Sequence, residues 1–372
     1  MKVALVHDFM REFGGAERVL RVLADMYPKA PIYVAFKNKG TCVDQFLDRR
    51  VIESKWALVI GHWRLYSVFR FLIPLVWRSI DLSKYDLVIT SCSSYVARGF
   101  KVGEKTKVVA YCHTPPRMLY GYESSITWMK SPVMRLGILI YGYFINHYLR
   151  LFDFWSAQKV DKWMVNSENV QQRVEKYYRR DSEVVYPPFE TETLIDESGK
   201  YKKDDYFLIV SRLVGAKGLV EAAKAARDLD FQLKIVGEAV GFGAVEEELR
   251  KIRGVELVGR VDDQRLIELY SKARGFIALA KDEDFGMTLV EAQACGLAVI
   301  AYRGGGYLES VMEGETGVFV EGTDKDNIEK GMKEFIKIKW KREILQKNAR
   351  RFSREEFEGK VRKIVKEVMK NA

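Results

Sequence analysis

The feature that most constrains the fold of this chain is an alternation of short β-branched strings with segments of helical periodicity, which occurs twice. Such an alternation is typical of parallel sheets with helices on both faces. In the first half, the predicted strands are Val3–His7, Leu87–Thr90, Lys107–Tyr111 and Lys162–Asn166. The predicted helices of this half are Glu17–Met26 and Asn169–Tyr178. The pattern therefore predicts an α/β domain in the first half of the chain.

A further strand is predicted in Glu183-Val184-Val185-Tyr186, where it ends in Pro187-Pro188. A second α/β domain is predicted after it, because two prolines stop regular structure and form a semi-rigid connector. Its predicted strands are Tyr206–Val210, Gln232–Val236, Val255–Leu257, Gly275–Ala278, Ala298–Ala301 and Gly317–Val320. A length of 372 residues also suits two domains better than a single core. We therefore place the domains at residues 1–186 and 187–353.

The predicted fold class is thus α/β, with two doubly wound, Rossmann-like domains. In doubly wound sheets, ligands bind beyond the carboxyl ends of the strands, so two such sheets that face each other would enclose a deep crevice. A final helix, Arg354–Lys370, follows a break at which Ser353 and Glu356 form an N-cap pair. This break sets the helix apart from the second domain.

The net charge of +10 indicates attraction to an anionic partner. Nucleic acid, an acidic membrane surface and phosphorylated substrates all satisfy that condition. The four cysteines lie in apolar strings without CxxC spacing, which predicts buried reduced thiols and a cytosolic location. The sequence contains no acidic DxD pair at a strand end and no His/Cys cluster with ligand spacing, so no metal site is predicted.

Two apolar stretches bear on membrane contact. Val68–Trp77 and Leu136–Ile145 are shorter than the roughly 20 residues that cross a bilayer, so no spanning helix is expected. The amino terminus passes directly into a strand, so export is not expected either. Both regions combine aromatic rings with cations, namely Trp56, Trp63, Arg64, Arg70, Trp77, Arg78, Trp128, Lys130, Arg135 and Tyr141. This mixture fits an interfacial surface, and it fits amphipathic core helices equally well.

Residues 283–291 place two carboxylates, Glu283 and Glu291, on either side of a predicted loop that enters a helix. The carboxylates could bind two hydroxyl-bearing groups at once. Amides near a helix N-terminus attract a diphosphate. The amides in that position belong to Phe285, Gly286, Met287 and Thr288. Glutamates around a helix start are also common as capping and surface residues, so the spacing alone leaves both readings open.

In the first domain, two loops follow predicted strands. Gly14 and Gly15 lie between the first strand and its helix, where glycines allow close backbone approach to a phosphate or an acceptor. The pattern is not GxGxxG, which counts against a nicotinamide site. His113 comes directly after another strand, in a loop stiffened by Pro115-Pro116. A single histidine is often structural, but the strand-end position favours a chemical role for His113.

In the second domain, Arg212 and Lys217 follow the first strand. An arginine can bind phosphate oxygens in a fork and a lysine adds a compact charge, so the pair could neutralise a leaving diphosphate, although a solvated basic turn has the same pattern. Two later strands end in glycine on the same side, near Gly237 and Val261. Their backbone groups could contact a nucleotide base, whose identity the sequence does not reveal.

Taken together, these motifs resemble family 4 glycosyltransferases, which are retaining enzymes of the GT-B fold. The resemblance rests on GGAER at 14–18, SRLVGAKG at 211–218, EDFGMTLVEAQACGLAVIA at 283–301 and GGGYLESV at 304–311. Three further segments are similar to the O-antigen mannosyltransferase subgroup, which uses GDP-mannose: YCHTPPR at 111–117, residues 147–167, and VVYPPFE at 184–190. The resemblance covers nearly the whole chain.

The resemblance implies a role for each candidate residue. Arg212 and Lys217 would bind the donor diphosphate, and Glu291 would bind the nucleotide ribose. Glu283 would contact the transferred sugar, with His113 beside the reacting centre. The amides of residues 285–288 would hold the sugar and phosphates, and Gly15 would approach the diphosphate. The C-terminal helix of such enzymes crosses back to the N-terminal domain.

Two departures from the family pattern are present: Gly215-Ala216 precedes the lysine in place of a more usual proline-tyrosine pair, and Glu190 replaces a frequent aspartate. Neither removes a contacting charge. The family mechanism is a front-face displacement in which the departing phosphate takes the acceptor proton, without a metal or other cofactor. The implied acceptor is a saccharide or lipid-linked saccharide at the cytoplasmic face of the membrane.

Three alternatives remain open at this stage. A UDP-sugar-dependent transferase would share the fold and the crevice. A sugar-nucleotide epimerase would need a set of proton-abstracting carboxylates, and the sequence contains no such set. A nucleic-acid-binding protein would use the positive charge and the aromatic rings, but the candidate cations lie at strand ends rather than in a tract.

Overall fold

The structure is a computed structural model that describes residues 1–38, 40–60, 69–121, 132–214, 217–238 and 244–370. The chain forms two compact units. Pro188 is the last residue of the first unit before the chain enters the second, and Glu355 returns the chain to the first unit. The sequence placed the first of these boundaries two residues earlier, after Tyr186.

Within the described residues, the first unit contains a parallel sheet of seven strands in the order β3-β2-β1-β4-β5-β6-β7. The strands are β1 (Val3–His7), β2 (Ile32–Val34), β3 (Val51–Glu53), β4 (Leu87–Cys92), β5 (Lys107–Cys112), β6 (Lys162–Val165) and β7 (Ser182–Val184). The central strands are apolar and buried on both faces, as expected for a parallel sheet covered by helices. Strands β2 and β3 were not predicted.

Helices cover both faces of this sheet. They are α1 (Gly15–Met26), α2 (Thr41–Asp44), α3 (Ala57–Ile60), α4 (Ile73–Arg78), α5 (Arg117–Tyr120), α6 (Pro132–Ala157) and α7 (Glu168–Tyr178), with a 3₁₀ turn at Phe69–Leu72. Helix α7 begins where the Ser167 hydroxyl accepts a hydrogen bond from the Val170 amide, which satisfies one of the unpaired amides of the first turn. Two apolar clusters form the core, one on each face of the sheet.

The second unit contains a parallel sheet of six strands among the residues described, in the order β10-β9-β8-β11-β12-β13. The strands are β8 (Tyr206–Val210), β9 (Gln232–Val236), β10 (Val255–Gly259), β11 (Gly275–Ala278), β12 (Val299–Tyr302) and β13 (Gly317–Val320). The helices that follow the connector are α8 (Thr191–Ser198), α9 (Leu219–Asp228), α10 (Ala244–Leu249), α11 (Asp263–Lys272), α12 (Met287–Ala294), α13 (Tyr307–Ser310), α14 (Lys325–Phe335), α15 (Arg342–Arg350) and α16 (Arg354–Lys370). Two doubly wound, Rossmann-like domains are therefore confirmed.

Helix α16 packs on the first unit. Its apolar face, Phe357, Val361, Ile364 and Val365, lies in the cluster that also contains Leu5, Leu20 and Ile89. The ring of Phe357 meets that of Tyr111 edge-on, with ring centroids 5.7 Å apart. The prediction that the C-terminal helix returns to the N-terminal domain is thus confirmed.

The four cysteines are all free and buried, as predicted. Burial raises the pKa of the Cys42 and Cys295 thiols to about 12, so both remain protonated at neutral pH. Cys92 and Cys112 occupy paired positions on β4 and β5.

Candidate functional site

In each sheet the strand order reverses once near the middle, and most of the candidate residues follow the strands at or next to that point. The reversal lies between β1 and β4 in the first unit and between β8 and β11 in the second. Loops beyond the carboxyl ends of strands at such a reversal are the usual ligand sites of doubly wound sheets. The two sets of residues belong to different units and are described separately.

In the second unit, backbone hydrogen bonds hold the loops after β8, β9 and β10 together. The Ser211 amide donates to the Val236 carbonyl at 2.9 Å, and the Leu213 amide donates to the Glu238 carbonyl at 3.0 Å. Gly237 has φ +138°, and a Cβ atom there would lie 2.1 Å from the Ser211 carbonyl oxygen. Only glycine fits this position, so Gly237 is required for the close approach of the two strand ends.

The cations predicted after β8 differ in their surroundings. Arg212 is exposed. Lys217 forms an ion pair with Glu283, with 2.6 Å between Nζ and Oε2, and both side chains are about a quarter exposed. The structure thus brings together two of the predicted residues that lie 66 positions apart in the chain.

The loop that carries Glu283 is fixed by the two glycines just before α13, Gly305 and Gly306. The Gly306 amide donates to the Glu283 carbonyl at 3.0 Å. A Cβ atom on Gly305 would lie 2.5 Å from the Glu283 carbonyl oxygen, and a Cβ atom on Gly306 would lie 2.4 Å from the Asp284 carbonyl oxygen. Two backbone segments therefore pack directly on each other, and the position of Glu283 depends on these glycines.

Helix α12 begins immediately after this loop. Gly286 is its N-cap in the left-handed conformation, with φ +88°, and Phe285 is buried with its ring 5.3 Å from that of Phe352. Met287 and Thr288 form the start of the first turn and are half-buried. The amides of a first turn have no partner within the helix, and together with the helix dipole they favour an anion.

Glu291 lies on α12 but is buried, with 6% of its surface exposed. The Tyr270 hydroxyl donates to its Oε2 at 3.0 Å, so α11 orients the carboxylate. Val261, also predicted as a contact, is half-buried and packs on the apolar cluster that contains Tyr270. Tyr270 was not predicted, because nothing in the local sequence marks it as the partner of a glutamate 21 residues away.

In the first unit, His113 follows β5 and is half-buried. Its Nε2 lies 2.8 Å from Ser91 Oγ, and its backbone carbonyl accepts a hydrogen bond from the Asn166 side chain at 2.9 Å. Burial, together with the nearby His7, lowers the pKa of His113 to about 3. The imidazole is therefore neutral near pH 7.

Of the two glycines that follow β1, Gly14 is held by a side chain. Gly14 is the N-cap of α1, and its amide donates to Glu17 Oε2 at 3.0 Å. Gly15 is the first residue of α1. Both residues are half-buried, so their backbone is accessible on one side.

Asp8 was missed by the sequence analysis, although it directly follows a predicted strand. Its buried carboxylate accepts hydrogen bonds from the amides of Tyr95 and Ala97 and from the amide and hydroxyl of Ser93. The carboxylate thus holds the loop after β4 against β1. The His7-Asp8 pair at the strand end was the available signal.

One of the predicted interfacial residues, Trp77, does not lie on a surface. Trp77 is fully buried, and its indole nitrogen donates to the Tyr95 carbonyl at 2.8 Å, so this ring belongs to the core rather than to a surface. Trp63, Arg64, Trp128, Lys130 and the side chain of Arg135 lie outside the described residues.

An apolar surface is nevertheless present on α6. The exposed large residues of this helix are Leu139, Ile140, Tyr143, Phe144, Tyr148, Leu151 and Trp155. They recur at intervals of three and four residues and therefore form one stripe along the helix. We call these seven residues the α6 stripe. The opposite face of helix α6 is buried. There Asp153 forms an ion pair with Arg98 and accepts a hydrogen bond from the Tyr120 hydroxyl at 2.6 Å.

Among the described residues, no helix is long and apolar enough to cross a bilayer. The described residues also contain no group of three or more His, Cys, Asp or Glu side chains arranged to hold a metal ion.

Two models of known protein families match this chain. Residues 13–193 match the family model described as Glycosyltransferase Family 4, and residues 190–352 match the model described as Glycosyl transferases group 1. The two matches overlap at residues 190–193, just after the connector, and together cover residues 13–352.

Individual relatives match over parts of the chain. The uncharacterized glycosyltransferase MJ1178 of Methanocaldococcus jannaschii is 27% identical over 55% of this chain and 58% of the relative. The GDP-mannose-dependent monoacylated alpha-(1-6)-phosphatidylinositol monomannoside mannosyltransferase of Corynebacterium glutamicum is 36% identical over 32% of this chain and 34% of the relative. The chain therefore spans less than two thirds of these relatives.

The fold of the whole chain resembles that of Anabaena Alr3699/HepE, solved in complex with UDP and glucose. The TM-score is 0.72 with 18% identity, over 98% of this chain and 99% of the other. At this level of identity the likeness concerns the fold alone. It agrees with the predicted GT-B class.

Proposed function

We propose, from the two glycosyltransferase family models that match this chain, that it transfers a hexose from a nucleotide sugar to a saccharide acceptor. The observation that carries the proposal is the arrangement of Arg212, Lys217 and the first turn of α12 around the reversal point of the second sheet. Two cations and a helix N-terminus that follow neighbouring strands would form a binding site for a diphosphate.

The proposed chemistry is stabilisation of a leaving diphosphate. As the bond between the sugar and the phosphate breaks, negative charge grows on the phosphate oxygens. Arg212 and Lys217 would neutralise that charge, and the α12 amides would donate hydrogen bonds to it. The departing phosphate would accept the acceptor's hydroxyl proton, with retention at the sugar carbon. Because the protein's own cations supply the positive charge, we propose that transfer needs no metal ion or other cofactor.

The remaining candidate residues receive roles in the same proposal. Glu291, oriented by Tyr270, would accept hydrogen bonds from the nucleotide ribose. Glu283 would contact the transferred sugar, and its ion pair with Lys217 would keep both side chains in place. In the first unit, His113, Gly14 and Gly15 would contact the substrate at the carboxyl-end edge of the sheet. Gly237 and the backbone at Val261 would lie near the base.

For the donor we propose GDP-mannose. The support is the similarity to the GDP-mannose-dependent relative from Corynebacterium glutamicum and the subgroup motifs at 111–117 and 184–190. A UDP-sugar is the second candidate, because Alr3699/HepE, whose fold is similar over nearly the whole chain, was solved with UDP-glucose.

Thermal unfolding in the presence of GDP, UDP and ADP separates the two donors. A ligand that binds only the folded protein stabilises it by about 2.7 kcal/mol at 100 times its Kd. We expect GDP to raise the Tm by several degrees, and UDP and ADP to raise it less. The gain should disappear in Glu291→Ala and persist in Glu321→Ala, a carboxylate that is exposed and pairs with Arg303. A selective response to UDP would replace the mannose proposal, and a response to none of the three would refute the nucleotide-sugar proposal.

We further propose that the acceptor is lipid-linked and that the α6 stripe docks on an anionic membrane at its cytoplasmic face. Two more apolar residues, Phe71 and Leu75, are exposed on the 3₁₀ turn and α4, and both of these elements contact α6. Cations flank it: Arg150 is exposed on α6, and the Arg70 guanidinium lies 5.2 Å from the Tyr141 ring. Exposed aromatic rings beside cations match the boundary between lipid headgroups and acyl chains.

Vesicle co-sedimentation tests this docking. Replacing Phe144 and Trp155 with glutamate removes two apolar anchors worth about 1.5 kcal/mol or more each and adds repulsion from anionic lipid. We expect binding to vesicles with about 30% anionic lipid, a level that gives a negative surface, to fall at least about tenfold. The matched control is Leu47→Glu, since Leu47 is 78% exposed but lies outside the stripe. Equal binding by the wild type and the double variant would exclude the stripe as the docking surface.

A further inference from the structure

A continuous chain of side chains runs from α1 to His113 in the first unit. Glu17 Oε1 lies 3.4 Å from His7 Nε2, His7 Nδ1 lies 3.0 Å from Ser91 Oγ, and Ser91 Oγ lies 2.8 Å from His113 Nε2. His7 and Ser91 are buried, with 2% and 0% of their surfaces exposed. Four elements, α1, β1, β4 and the end of β5, are thus joined by one set of contacts, which we call the Glu17 relay.

The partners of His7 determine where its protons lie. Its Nδ1 is 3.2 Å from the Ser91 carbonyl oxygen, which can only accept, so Nδ1 carries a hydrogen. Its Nε2 faces the Glu17 carboxylate, which also accepts, so Nε2 carries a hydrogen as well. A histidine that donates from both nitrogens is a cation. Glu17 and His7 therefore form a buried ion pair.

The electrostatic surroundings agree with this assignment. Burial lowers the pKa of His7, but the hydrogen bond and charge of Glu17, with a contribution from Asp8, outweigh it and leave that pKa raised. Burial alone would raise the pKa of Glu17, yet the hydrogen bond from His7 leaves it lowered. Both pKa shifts therefore favour the charged forms of the two partners.

The Ser91 hydroxyl can therefore donate its hydrogen to His113. Because His7 Nδ1 already donates toward Ser91, the Ser91 hydroxyl is free to donate to His113 Nε2 at 2.8 Å. Neutral His113 accepts at Nε2 and must therefore carry its hydrogen on Nδ1. Among the described residues, His113 Nδ1 has no hydrogen-bond partner.

We infer that Glu17, His7 and Ser91 are positioning residues, which hold neutral His113 in the tautomer with hydrogen on Nδ1. In this tautomer His113 serves its substrate as a hydrogen-bond donor and not as a base. This inference rests on the proposed function for the identity of the substrate, a nucleotide sugar whose hydroxyl oxygens would accept from Nδ1. The tautomer itself follows from the contacts of the free protein.

Glu17 also contacts the glycine loop between β1 and α1. Its other carboxylate oxygen, Oε2, accepts from the Gly14 amide at 3.0 Å. One carboxylate thus orients both the glycine loop and, through His7 and Ser91, the imidazole of His113. The two proposed donor contacts of the first unit are therefore set together.

Nitrogen NMR of protein labelled with ¹⁵N-histidine tests the tautomer without any substrate. The chain has four histidines, and His113→Gln assigns the His113 signals by their disappearance. At pH 7 we expect His113 to be protonated at Nδ1 alone and His7 to be protonated at both nitrogens. A wild-type His113 protonated at Nε2, or charged, would overturn the inference.

Variants separate the relay from general effects on folding. In Ser91→Ala the hydroxyl is lost, and His113 should become a mixture of tautomers. In Glu17→Gln the neutral amide no longer stabilises a cation, and His7 should carry one hydrogen at pH 7 instead of two. Glu12→Gln is the matched control, since Glu12 lies in the loop just before α1 with 63% of its side chain exposed. Unchanged histidine signals in folded Glu17→Gln would contradict the relay.

Activity gives the functional result. We expect Ser91→Ala to lower kcat/KM for sugar transfer at least about tenfold, because a wrong tautomer removes the donor without removing the ring. Ser91→Thr, which keeps the hydroxyl, should retain the wild-type tautomer. If wild-type His113 has the expected tautomer but no nucleotide sugar is turned over, the proposed function fails alone. If transfer occurs with hydrogen on Nε2, the relay fails alone.

Discussion

Replacement of Lys217 with alanine is expected to lower kcat/KM for sugar transfer by about 10²–10³-fold, with the larger part of the loss in kcat. The reason is that Lys217 would meet the charge that grows on the diphosphate only as the sugar leaves, and removal of one such electrostatic contact typically costs this much. The substitution also removes the 2.6 Å ion pair between Lys217 and Glu283. Steady-state kinetics with the nucleotide sugar identified by thermal unfolding would measure the effect.

The control for this experiment is Lys224→Ala. Lys224 lies on α9, directly after the Lys217 loop, and its ammonium pairs with Glu248 on the exposed surface. An exposed ion pair contributes about 0–1 kcal/mol to stability, so activity and stability should stay near wild type. A Lys217→Ala enzyme with activity within threefold of wild type, about 0.7 kcal/mol in barrier height, would remove Lys217 from the proposed chemistry.

Replacement of Gly306 with alanine is expected to lower the free energy of unfolding by about 1–3 kcal/mol and to reduce transfer by at least about tenfold. The added Cβ would lie 2.4 Å from the Asp284 carbonyl oxygen and from the Phe285 Cα, and both contacts are backbone atoms that cannot rotate away. The loop that carries Glu283 must therefore move. Chemical denaturation and steady-state kinetics together measure the two effects.

Gly359→Ala provides a matched comparison. Gly359 lies within α16, and a Cβ atom there would meet no atom within 4 Å. Alanine in place of glycine inside a helix usually stabilises by about 0.5–1 kcal/mol, so this variant should be as stable as wild type or more stable. The account of the 283–286 loop would be contradicted if Gly306→Ala and Gly359→Ala had the same stability and the same activity.

Most of the sheet structure was predictable from local sequence. Strands such as Tyr206–Val210 and Gly275–Ala278 are apolar on both faces, because helices cover both sides of a parallel sheet. Strands β2 and β3 were missed because each has only three residues, which is too short for a periodic pattern. Their parallel pairing with β1 and with each other comes from tertiary structure.

The candidate site was predictable in part. Residues that directly follow strands, such as Arg212 and His113, could be identified because topology brings strand ends to one edge of a sheet. Their partners could not: Ser91 contacts His113 from a neighbouring strand 22 residues away. The exposed or buried state of aromatic residues was also not predictable, since Trp77 and Trp155 have similar local surroundings in sequence but 0% and 64% exposure.

The central claim is that this chain recognises a nucleoside diphosphate through Arg212, Lys217 and the first turn of α12. Calorimetric titration with GDP and with GMP tests it most directly, because the two ligands share base and ribose and differ by one phosphate. We predict that GDP binds at least about 100-fold more tightly than GMP, which corresponds to about 2.7 kcal/mol. This advantage should fall to less than about tenfold in the Arg212→Ala, Lys217→Ala double variant. Equal affinity of the wild type for GDP and GMP, with UDP and UMP likewise equal, would contradict the account.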